Sequence, residues 1–375
     1  MCRSLIFTFL LLAGFCGSLM AQLTGQAKGQ PIEVAVPFLL ISADGKTASM
    51  GEAGSALPPT EGSLGIFNSK TALLDAKTGF VVSYTPWLKS LVSDRKLMNA
   101  NGFYMIGNHT ALSAGLAYLS YGDFDLVDDQ RISGGGINPA EYAVNIGVSK
   151  AFGESFTIGT NLKYINSTLY TTNGAGAQLQ SGRGFAVDVS YFNRADLTVF
   201  GLSSIFSHSV NIMNIGPKMA YFYNSDRRYF LPTVLKLGTS LSLRDERDQS
   251  FNIAFDVSKP LVPARQNTYP GTDASQPSVL EGMLQSFSDS PGGFKGEMKE
   301  LAVSIGAEYL YQGKLAFRTG YNFNSPIRGL GHFASLGAGF KHKSLSIDLS
   351  YIIGSIQNSF LGNSMRLSFG YSLPK

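Results

Sequence analysis

The sequence contains few charged residues and few cysteines. Asp, Glu, Lys and Arg make up 15% of the 375 residues, whereas about a quarter is usual for soluble globular domains. This shortage argues against an ordinary cytosolic enzyme. The two cysteines, Cys2 and Cys16, lie in an N-terminal segment that we expect to be removed. The mature chain is therefore predicted to have no disulfide, no thiolate metal site and no cysteine nucleophile.

Long apolar runs are also lacking. The mean hydropathy is only +0.06, and a multi-helix membrane protein would need several runs of about 20 apolar residues. The apolar fraction of 44% excludes a disordered chain, and the net charge of +4, without a basic stripe, does not favour nucleic acid. Abundant glycine and aromatic residues with near-neutral hydropathy fit an outer-membrane β-barrel, in which apolar and polar residues alternate.

The N-terminus has the pattern of a secretory signal peptide. Arg3 precedes the apolar run Leu5–Phe15, and small or neutral residues lead to Ala21, after which we expect cleavage. Cys16 raises the alternative of a lipoprotein, but Phe15 stands where a lipoprotein signal requires a small residue. We therefore predict a signal peptide over residues 1–21.

From about residue 79 onward, apolar residues recur with a period of two, which is typical of half-exposed strands. One run alternates Tyr142, Val144, Ile146 and Val148 with small or polar neighbours. About fourteen strands are predicted, at 79–87, 97–106, 110–121, 141–151, 155–168, 183–192, 197–206, 232–245, 249–258, 299–311, 314–323, 332–341, 344–352 and 364–373. Residues 79–375 are therefore predicted to form an all-β domain.

The lengths of the connections separate a membrane barrel from a soluble β-sandwich. Predicted short turns, such as Gly107–His109 and Asn193–Asp196, alternate with long connections such as 122–140 and 259–298. Short periplasmic turns alternating with longer external loops are characteristic of transmembrane β-barrels. We therefore predict an antiparallel outer-membrane β-barrel of about 14 strands, with a long extracellular loop at 259–298.

Charged residues on the polar faces of the strands support the same alternation. Opposite charges fall on consecutive predicted strands in four pairs: Lys163 with Asp188, Lys236 with Asp256, Glu308 with Arg318, and Asp348 with Arg366. Opposed charges on paired strands contribute roughly 0.2–1 kcal/mol each. We interpret the pairs as stiffening the lumen wall, with contact to a passing ligand as the alternative.

Residues 22–78 do not alternate in this way. They contain an apolar stretch at Val34–Ile41, a Gly-rich stretch at Ser42–Ala56, and Pro58-Pro59. Ser69 is a potential N-cap of a short helix. A lumen about fourteen strands wide is too large to be filled by wall side chains alone, so we predict that this segment is a plug or a periplasmic lip.

No pattern of catalytic chemistry emerges from the sequence. The four histidines, His109, His208, His332 and His342, show no metal-ligand spacing, and no Gly-x-Ser-x-Gly motif is present. Acidic residues over Asp123–Asp129 lack the Gly and Glu of a calcium-binding EF-hand loop. The sequence therefore predicts no enzyme activity, no metal and no cofactor.

Several segments carry a resemblance to a known family. They are Ala35–Ser42, Met50–Gly54, Val82–Leu88 with the single Trp87, Gly282–Lys295, Glu297–Glu300 and Leu361–Phe369. In these segments the sequence resembles PorV, the outer-membrane barrel family of the type IX secretion system of Bacteroidota, which is itself similar to the fourteen-stranded FadL transporters. Residues Ile66–Ala72 depart from the family's Asn-Pro-Ala motif: Asn68 remains, but the proline and the preceding tryptophan are absent. The departures are consistent with a diverged paralogue.

The resemblance implies a role that the residues alone do not reveal. PorV-like proteins take cargo with a C-terminal signal domain from the SprA (Sov) translocon. They carry that cargo to the surface attachment complex, which contains PorU. The alternatives are a FadL-like channel for hydrophobic small molecules and a barrel that only scaffolds a neighbouring protein.

One stretch of loop 259–298 suits the binding role. Its apolar residues are Leu280, Met283, Leu284, Phe287 and Phe294, among glycine and proline. Structureless loops of this length are usually functional or disordered. We hypothesise that Phe287 and Phe294, held by Pro291, Gly292 and Gly293, help to form a docking surface for cargo or translocon. The alternative is that they fold inward and cap the barrel.

Overall fold

The computed structural model describes residues 33–60, 69–86, 95–127, 133–169, 181–221, 228–264, 277–290, 292–324, 331–354 and 363–374. The predicted signal peptide, Asn68, Trp87 and Pro291 lie outside these ranges. No helix among the described residues is long and apolar enough to cross a membrane.

Sixteen strands are described. They are β1 Thr78–Pro86, β2 Lys96–Ile106, β3 Thr110–Ser120, β4 Phe124–Val127, β5 Ser133–Ile137, β6 Ala140–Phe152, β7 Phe156–Thr168, β8 Gly182–Val199, β9 Leu202–Ile215, β10 Val234–Arg244, β11 Ser250–Pro260, β12 Ala302–Tyr311, β13 Leu315–Phe323, β14 Phe333–His342, β15 Leu345–Ile353 and β16 Ser364–Leu373. Five short helices accompany them, namely the 3₁₀-helices η1 Pro37–Leu40 and η2 Ser69–Leu73, and the α-helices α1 Gly45–Ser49, α2 Val279–Gln285 and α3 Gly293–Glu300.

Fourteen of these strands form one closed antiparallel barrel. Each strand pairs with its neighbours in the chain, with β3 next to β6, and β1 closes the barrel against β16. The strands β4 and β5 form a separate hairpin within the predicted loop 122–140. The predicted fourteen-stranded barrel is confirmed.

Alternating side chains give the wall two different faces. In β8, Phe185, Val187 and Val189 are exposed, whereas Ala186, Asp188 and Ser190 between them are buried. The exposed apolar residues face outward, where a bilayer would cover them, and the small and polar residues face the lumen. Because the buried face is the polar one, the alternation is that of a membrane barrel rather than of a soluble protein with an apolar core.

The connections differ in length at the two ends of the barrel. Five of the described turns at one end, residues 107–109, 153–155, 200–201, 312–314 and 343–344, have at most three residues, and 245–249 has five. The other end carries the long connections, including 261–301 with α2 and α3. By the parity of outer-membrane barrels, the short-turn end faces the periplasm and the long connections face outward.

The hairpin of β8 and β9 corrects one predicted turn. We expected the chain to reverse at Asn193–Asp196, but β8 continues to Val199 and the reversal occurs at Phe200-Gly201. Both turn residues have positive φ, 53° and 76°, as two-residue hairpin turns of type I′ require. Asn193–Asp196 has turn-forming residues but no glycine, and its residues instead continue the alternation.

Candidate functional site

The described residues 33–60 and 69–77, which we call the N-terminal segment, pack against the lumen wall at three heights. Near the outer end, Val36, Phe38 and Ile41 belong to an apolar cluster with wall residues such as Phe333 and Ile352. At mid-height Met50, Ala53 and Leu57 pack with Ala254 of β11. Near the short-turn end, Leu74 and Ala76 pack with residues including Val81 and Phe103. The segment thus contacts the wall at three levels of the lumen.

Helix α1 is fixed to the wall by backbone and charged groups. Asp44 caps the helix by accepting a hydrogen bond from the Thr47 N–H at 2.7 Å. The Gly45 N–H donates to Ser368 Oγ at 2.8 Å. Lys46 Nζ lies 3.5 Å from Glu308 Oε1 of β12. The cap fixes the start of α1, and the contacts of Gly45 and Lys46 hold the helix against β16 and β12.

Two facing glycines let the N-terminal backbone lie directly on the wall. Gly306 and Gly320 are opposite each other on β12 and β13. A Cβ atom at Gly320 would lie 2.0 Å from the Met50 carbonyl carbon and 2.1 Å from the Gly51 nitrogen, and one at Gly306 would lie 2.5 Å from Met50 O. Gly51 itself has φ +65° and contacts the backbone of Tyr321. No larger side chain fits at these wall positions unless the N-terminal segment moves.

Asp256 holds the next turn of the segment. Its carboxylate accepts hydrogen bonds from Gly54 N at 3.1 Å, Ser55 N at 3.0 Å and Ser55 Oγ at 2.7 Å. Lys236 Nζ lies 3.4 Å from the same carboxylate and donates to Glu52 O at 2.8 Å. The predicted partners Lys236 and Asp256 therefore lie together, and both also contact the N-terminal segment.

Glu308, Arg318 and Asp348 form a buried charge network across three strands. Arg318 Nε lies 2.5 Å from Glu308 Oε2, and Arg318 Nη1 lies 2.5 Å from Asp348 Oδ1. Strand β14 runs between β13 and β15, and its Gly339 has no side chain to block the contact. A Cβ there would lie 2.5 Å from Asp348 Oδ1 and 2.8 Å from the Arg318 guanidinium.

The predicted pair of Asp348 with Arg366 is replaced by other contacts. Arg366 is aligned with Ser350, and Asp348 with Ser368, so the two charges stand at different heights. Arg366 Nη1 instead donates to the backbone O and the Oγ of Ser42, both at 2.6 Å, and its Nε donates to Thr85 Oγ1 at 2.8 Å. Arg366 thus anchors the N-terminal segment, and Asp348 binds Arg318.

The remaining predicted pair lies on β7 and β8. Lys163 Nζ is 2.7 Å from Asp188 Oδ2 and donates to Asn214 Oδ1 at 2.8 Å. The Asn214 N–H in turn donates to Asp188 Oδ1 at 2.8 Å. Asn214 has φ +61° and lies in β9. The pair therefore ties three consecutive strands together.

Lys70, in η2, is enclosed by the N-terminal segment. Its Nζ donates to the carbonyl oxygens of Gly54 at 2.7 Å and Leu57 at 3.1 Å. Burial lowers the pKa of Lys70 to about 7, because a desolvated ammonium is disfavoured. The amine thus links the 33–60 part of the segment to the 69–77 part.

Helices α2 and α3 stand at the outer end, and we call their described residues within 279–300 the external platform. A Cβ at Gly282 of α2 would lie 2.9 Å from Pro263 and 3.2 Å from Phe230, so α2 rests closely on these residues. Ser278 and Glu281 form a capping box that fixes the start of α2. At the following connection, Asp289 Oδ2 accepts a hydrogen bond from Ala264 N at 2.8 Å.

Charged groups fasten α3 to the barrel. Lys259, at the end of β11, places its Nζ 2.6 Å from both Glu297 Oε2 and Glu300 Oε2. The Ser290 N–H donates to Glu297 Oε1 at 2.8 Å. Glu297, Glu300 and Asp289 bring their carboxylates within 4.8 Å of one another, and burial with the two glutamates raises the pKa of Asp289. The Lys259 ammonium offsets part of this negative charge.

The external platform presents large apolar side chains to solvent. Leu280 is 69% exposed, Leu284 75%, Phe287 53% and Phe294 79%. Met298, which is not among the predicted docking residues, is 51% exposed, whereas Met283 is half-buried. Gly292 is the N-cap of α3, and Gly293 has φ +58°. Leu280 and Leu284 lie on α2, Phe294 lies on α3, and Phe287 lies just after the end of α2. All four side chains are therefore exposed on or beside helices that are anchored to the barrel.

Several important residues were not predicted as site residues. The sequence predicts a loop from residue 259, whereas Lys259 lies in β11. Asp44 and Lys46 lie in a stretch of sequence without periodicity. The sequence does carry a signal for Gly306 and Gly320. Both fall on the lumen face of their strands, where the other lumen-facing residues are larger. Without the register of β12 and β13, however, the two glycines could not be placed opposite each other.

The chain matches one known protein family. The family model described as "Type IX secretion system protein PorV" matches residues 24–267. No curated protein sequence matches the chain.

The solved structures that the chain matches include hydrocarbon channels and a FadL homologue. The deltaS2S3 mutant of the monoaromatic hydrocarbon channel TodX has a TM-score of 0.52 and 11% identity, over 89% of this chain and 100% of that one. The toluene transporter TodX of P. putida gives 0.49 and 10%, over 89% and 99%. A Pseudomonas aeruginosa FadL homologue gives 0.43 and 11%, over 91% and 99%. At 11% identity, the similarity to the TodX mutant shows the fold alone.

Proposed function

Because this chain belongs to the PorV family of type IX secretion system proteins, we propose that it binds secreted cargo rather than catalysing a reaction. In this proposal the barrel receives the C-terminal signal domain of a cargo protein at a SprA-type (Sov-type) translocon. It then passes the cargo to the PorU-containing attachment complex. The outer-membrane barrel is the scaffold for these contacts.

The observation that carries the proposal is the exposure of the external platform. Leu280, Leu284, Phe287 and Phe294 are each more than half exposed, and the parity of the connections places them on the outer side of the membrane. Leu280 and Leu284 are four residues apart on α2 and therefore share one face of that helix. Exposed apolar surface outside the bilayer is typical of protein-binding sites. The anchoring of α2 and α3 supports a pre-formed surface, which lowers the entropic cost of binding.

We further propose that residues 22–78 act as a plug. The contacts of Arg366, Asp256 and Lys46 support this role, since they fasten the segment across the lumen. Charges buried in pairs are costly to separate. A plugged lumen favours a route for cargo along the outside of the barrel, and it disfavours the alternative of a FadL-like channel for hydrophobic small molecules.

The test replaces the exposed apolar residues of the external platform and leaves its anchors intact. The variant carries Leu280→Ser, Leu284→Ser, Phe287→Ser and Phe294→Ser. We expect surface-attached cargo to fall at least about tenfold, because the variant loses the apolar anchors that usually dominate binding energy. Heat-modifiable mobility of the barrel on gels reports whether the variant is assembled normally.

A matched control changes exposed polar residues of the same helices, Gln285→Ser and Lys299→Ser. We expect it to secrete cargo normally. The proposed docking role is refuted if the apolar variant inserts normally and also secretes cargo at the wild-type level. Deletion of 280–295 provides a coarser version of the same experiment.

A further inference from the structure

The hairpin of β8 and β9 extends past the preceding hairpin of β6 and β7 at the short-turn end of the barrel. At three of the five other short turns, the strand that enters the turn (β2, β6 or β14) ends two residues after the last residue that pairs with the preceding strand of the barrel. For example, Lys150 pairs with Thr110, and β6 ends at Phe152. In β8, Asn193 pairs with Phe156, but the strand continues to Val199. The four additional residues correspond to about 13 Å of strand.

This extension leaves one edge of β8 without a neighbouring strand. The Arg194 N–H donates to Ser155 O at 3.1 Å, which is the last backbone contact with the β7 side. Successive residues of a strand direct their backbone groups to opposite sides, so the N–H and C=O of Asp196 and Thr198 point to the same side as those of Arg194. Within the described ranges no strand lies there, while β9 occupies the other side.

The open edge carries little that would prevent pairing. Natural proteins protect exposed edges with proline, lysine or bulges. Over residues 195–199 the sequence is Ala-Asp-Leu-Thr-Val, and its register with β9 is regular. Thr198 and Val199 are β-branched, which favours an extended strand. Asp196 is the one charged residue of the edge.

Apolar side chains surround the same edge. Leu197 is 47% exposed and Phe200 is 92% exposed. Phe200 also occupies a turn position with φ 53°, where a left-handed conformation costs a non-glycine residue roughly 1–2 kcal/mol. An exposed aromatic residue thus occupies a position that disfavours it.

We propose that the β8 edge binds an extended strand of a periplasmic protein by β-augmentation. The backbone of that strand would pair with Asp196 and Thr198, and an apolar side chain would cover Leu197 and Phe200. The backbone N–H and C=O groups of this edge alternate at strand spacing and match those of another polypeptide strand. A lipid headgroup does not offer donors and acceptors in that pattern. The extension also carries this edge past the turn of the neighbouring β6–β7 hairpin. This site lies at the opposite end of the barrel from the external platform and does not depend on its role.

The experiment compares amide hydrogen exchange of residues 195–200 in two environments, using the full-length protein. One sample is native outer membrane, and the other is purified protein in nanodiscs of outer-membrane lipid. We expect the Asp196 and Thr198 amides to exchange at least about tenfold more slowly in native membranes. Equal exchange in the two samples would overturn the proposal. Slow exchange in nanodiscs would also overturn it, indicating lipid as the occupant, or a second copy if the protection rises with protein concentration.

A pair of variants distinguishes edge pairing from general burial. Thr198→Pro removes the N–H on the open side, where proline is tolerated because no ladder bond is lost, and Thr198→Val keeps it. We expect the native-membrane protection of Asp196 to disappear in Thr198→Pro and to persist in Thr198→Val. Protection that persists in both variants would contradict strand pairing. If Thr198→Pro does not insert into the membrane, the comparison of amide exchange in the wild-type protein between native membranes and nanodiscs still tests the proposal.

Discussion

At the scale of single residues, the absence of side chains decides where the N-terminal segment can lie. Gly306 and Gly320 allow backbone to rest on backbone, and Gly339 leaves room for Arg318 to reach Asp348. Each of these glycines has an ordinary strand conformation, so each is required by space rather than by φ. The lumen wall is therefore shaped to fit the segment that it encloses.

Substitution of Gly320 tests this fit. We expect Gly320→Val to displace Met50 and Gly51, because the added atoms would overlap their backbone, and packed interiors tolerate such insertions poorly. Conductance across planar bilayers should rise above that of the wild-type protein. Gly102→Val is the matched control, since its nearest neighbour to an added Cβ is 3.4 Å away. An unchanged conductance in an inserted Gly320→Val barrel would show that the contact does not hold the lumen closed.

Lys70 gives a prediction about pH. The pKa of Lys70 is about 7 in the folded chain and 10.5 in the reference state, so between these values the unfolded chain binds a proton that the folded chain does not. The free energy of unfolding should therefore rise with pH in this window, by up to about 1.4 kcal/mol per pH unit from this group. Urea unfolding in lipid vesicles measures the slope. The variant Lys70→Met should lack this contribution, and identical slopes for the two proteins would contradict it.

Residue identity alone could predict some of these contacts. Opposite charges on the lumen faces of consecutive strands placed Lys163 beside Asp188 and Lys236 beside Asp256. The same reasoning failed for Arg366, because a contact between strands depends on register and on what else fills the lumen. Ser42 and Thr85 could satisfy Arg366 only once the N-terminal segment was in place.

At the scale of elements, alternation located most strands, but turns depended on backbone conformation. Fourteen strands follow from a period of two, and most short turns follow from glycine between the runs. The β8–β9 reversal was misplaced because Asn193–Asp196 contains residues common in turns. Phe200-Gly201 carries a weaker signal, since phenylalanine seldom adopts positive φ.

The turn itself can be improved for stability. We expect Phe200→Asn to stabilise the purified protein by about 1 kcal/mol, because asparagine adopts positive φ more readily. The side chain of Phe200 is 92% exposed, so its removal should lose little packing. Urea unfolding of wild-type and variant proteins in lipid vesicles measures the difference. A less stable variant would indicate that Phe200 makes a contact that its exposure does not suggest.

At the scale of the whole molecule, the two ends of the barrel differ while the lumen between them is crossed by the N-terminal segment. The outer end carries the external platform on anchored helices, and the periplasmic end carries the open edge of β8. Such an arrangement suits a protein that contacts other proteins on both sides of the membrane. The sequence could suggest the external surface through its apolar residues, but whether they fold inward depends on Gly282 and Lys259, whose contacts only the structure provides.

If this barrel binds proteins of the secretion pathway, it should copurify with them. A tagged full-length chain is isolated from outer membranes of cells that secrete cargo, and mass spectrometry identifies what accompanies it. We predict enrichment of the translocon subunit and of cargo with its C-terminal signal domain, and the loss of both with the apolar-to-serine variant of the external platform. Recovery of the barrel with a hydrophobic small molecule in its lumen, and with neither the translocon nor cargo, would contradict the account.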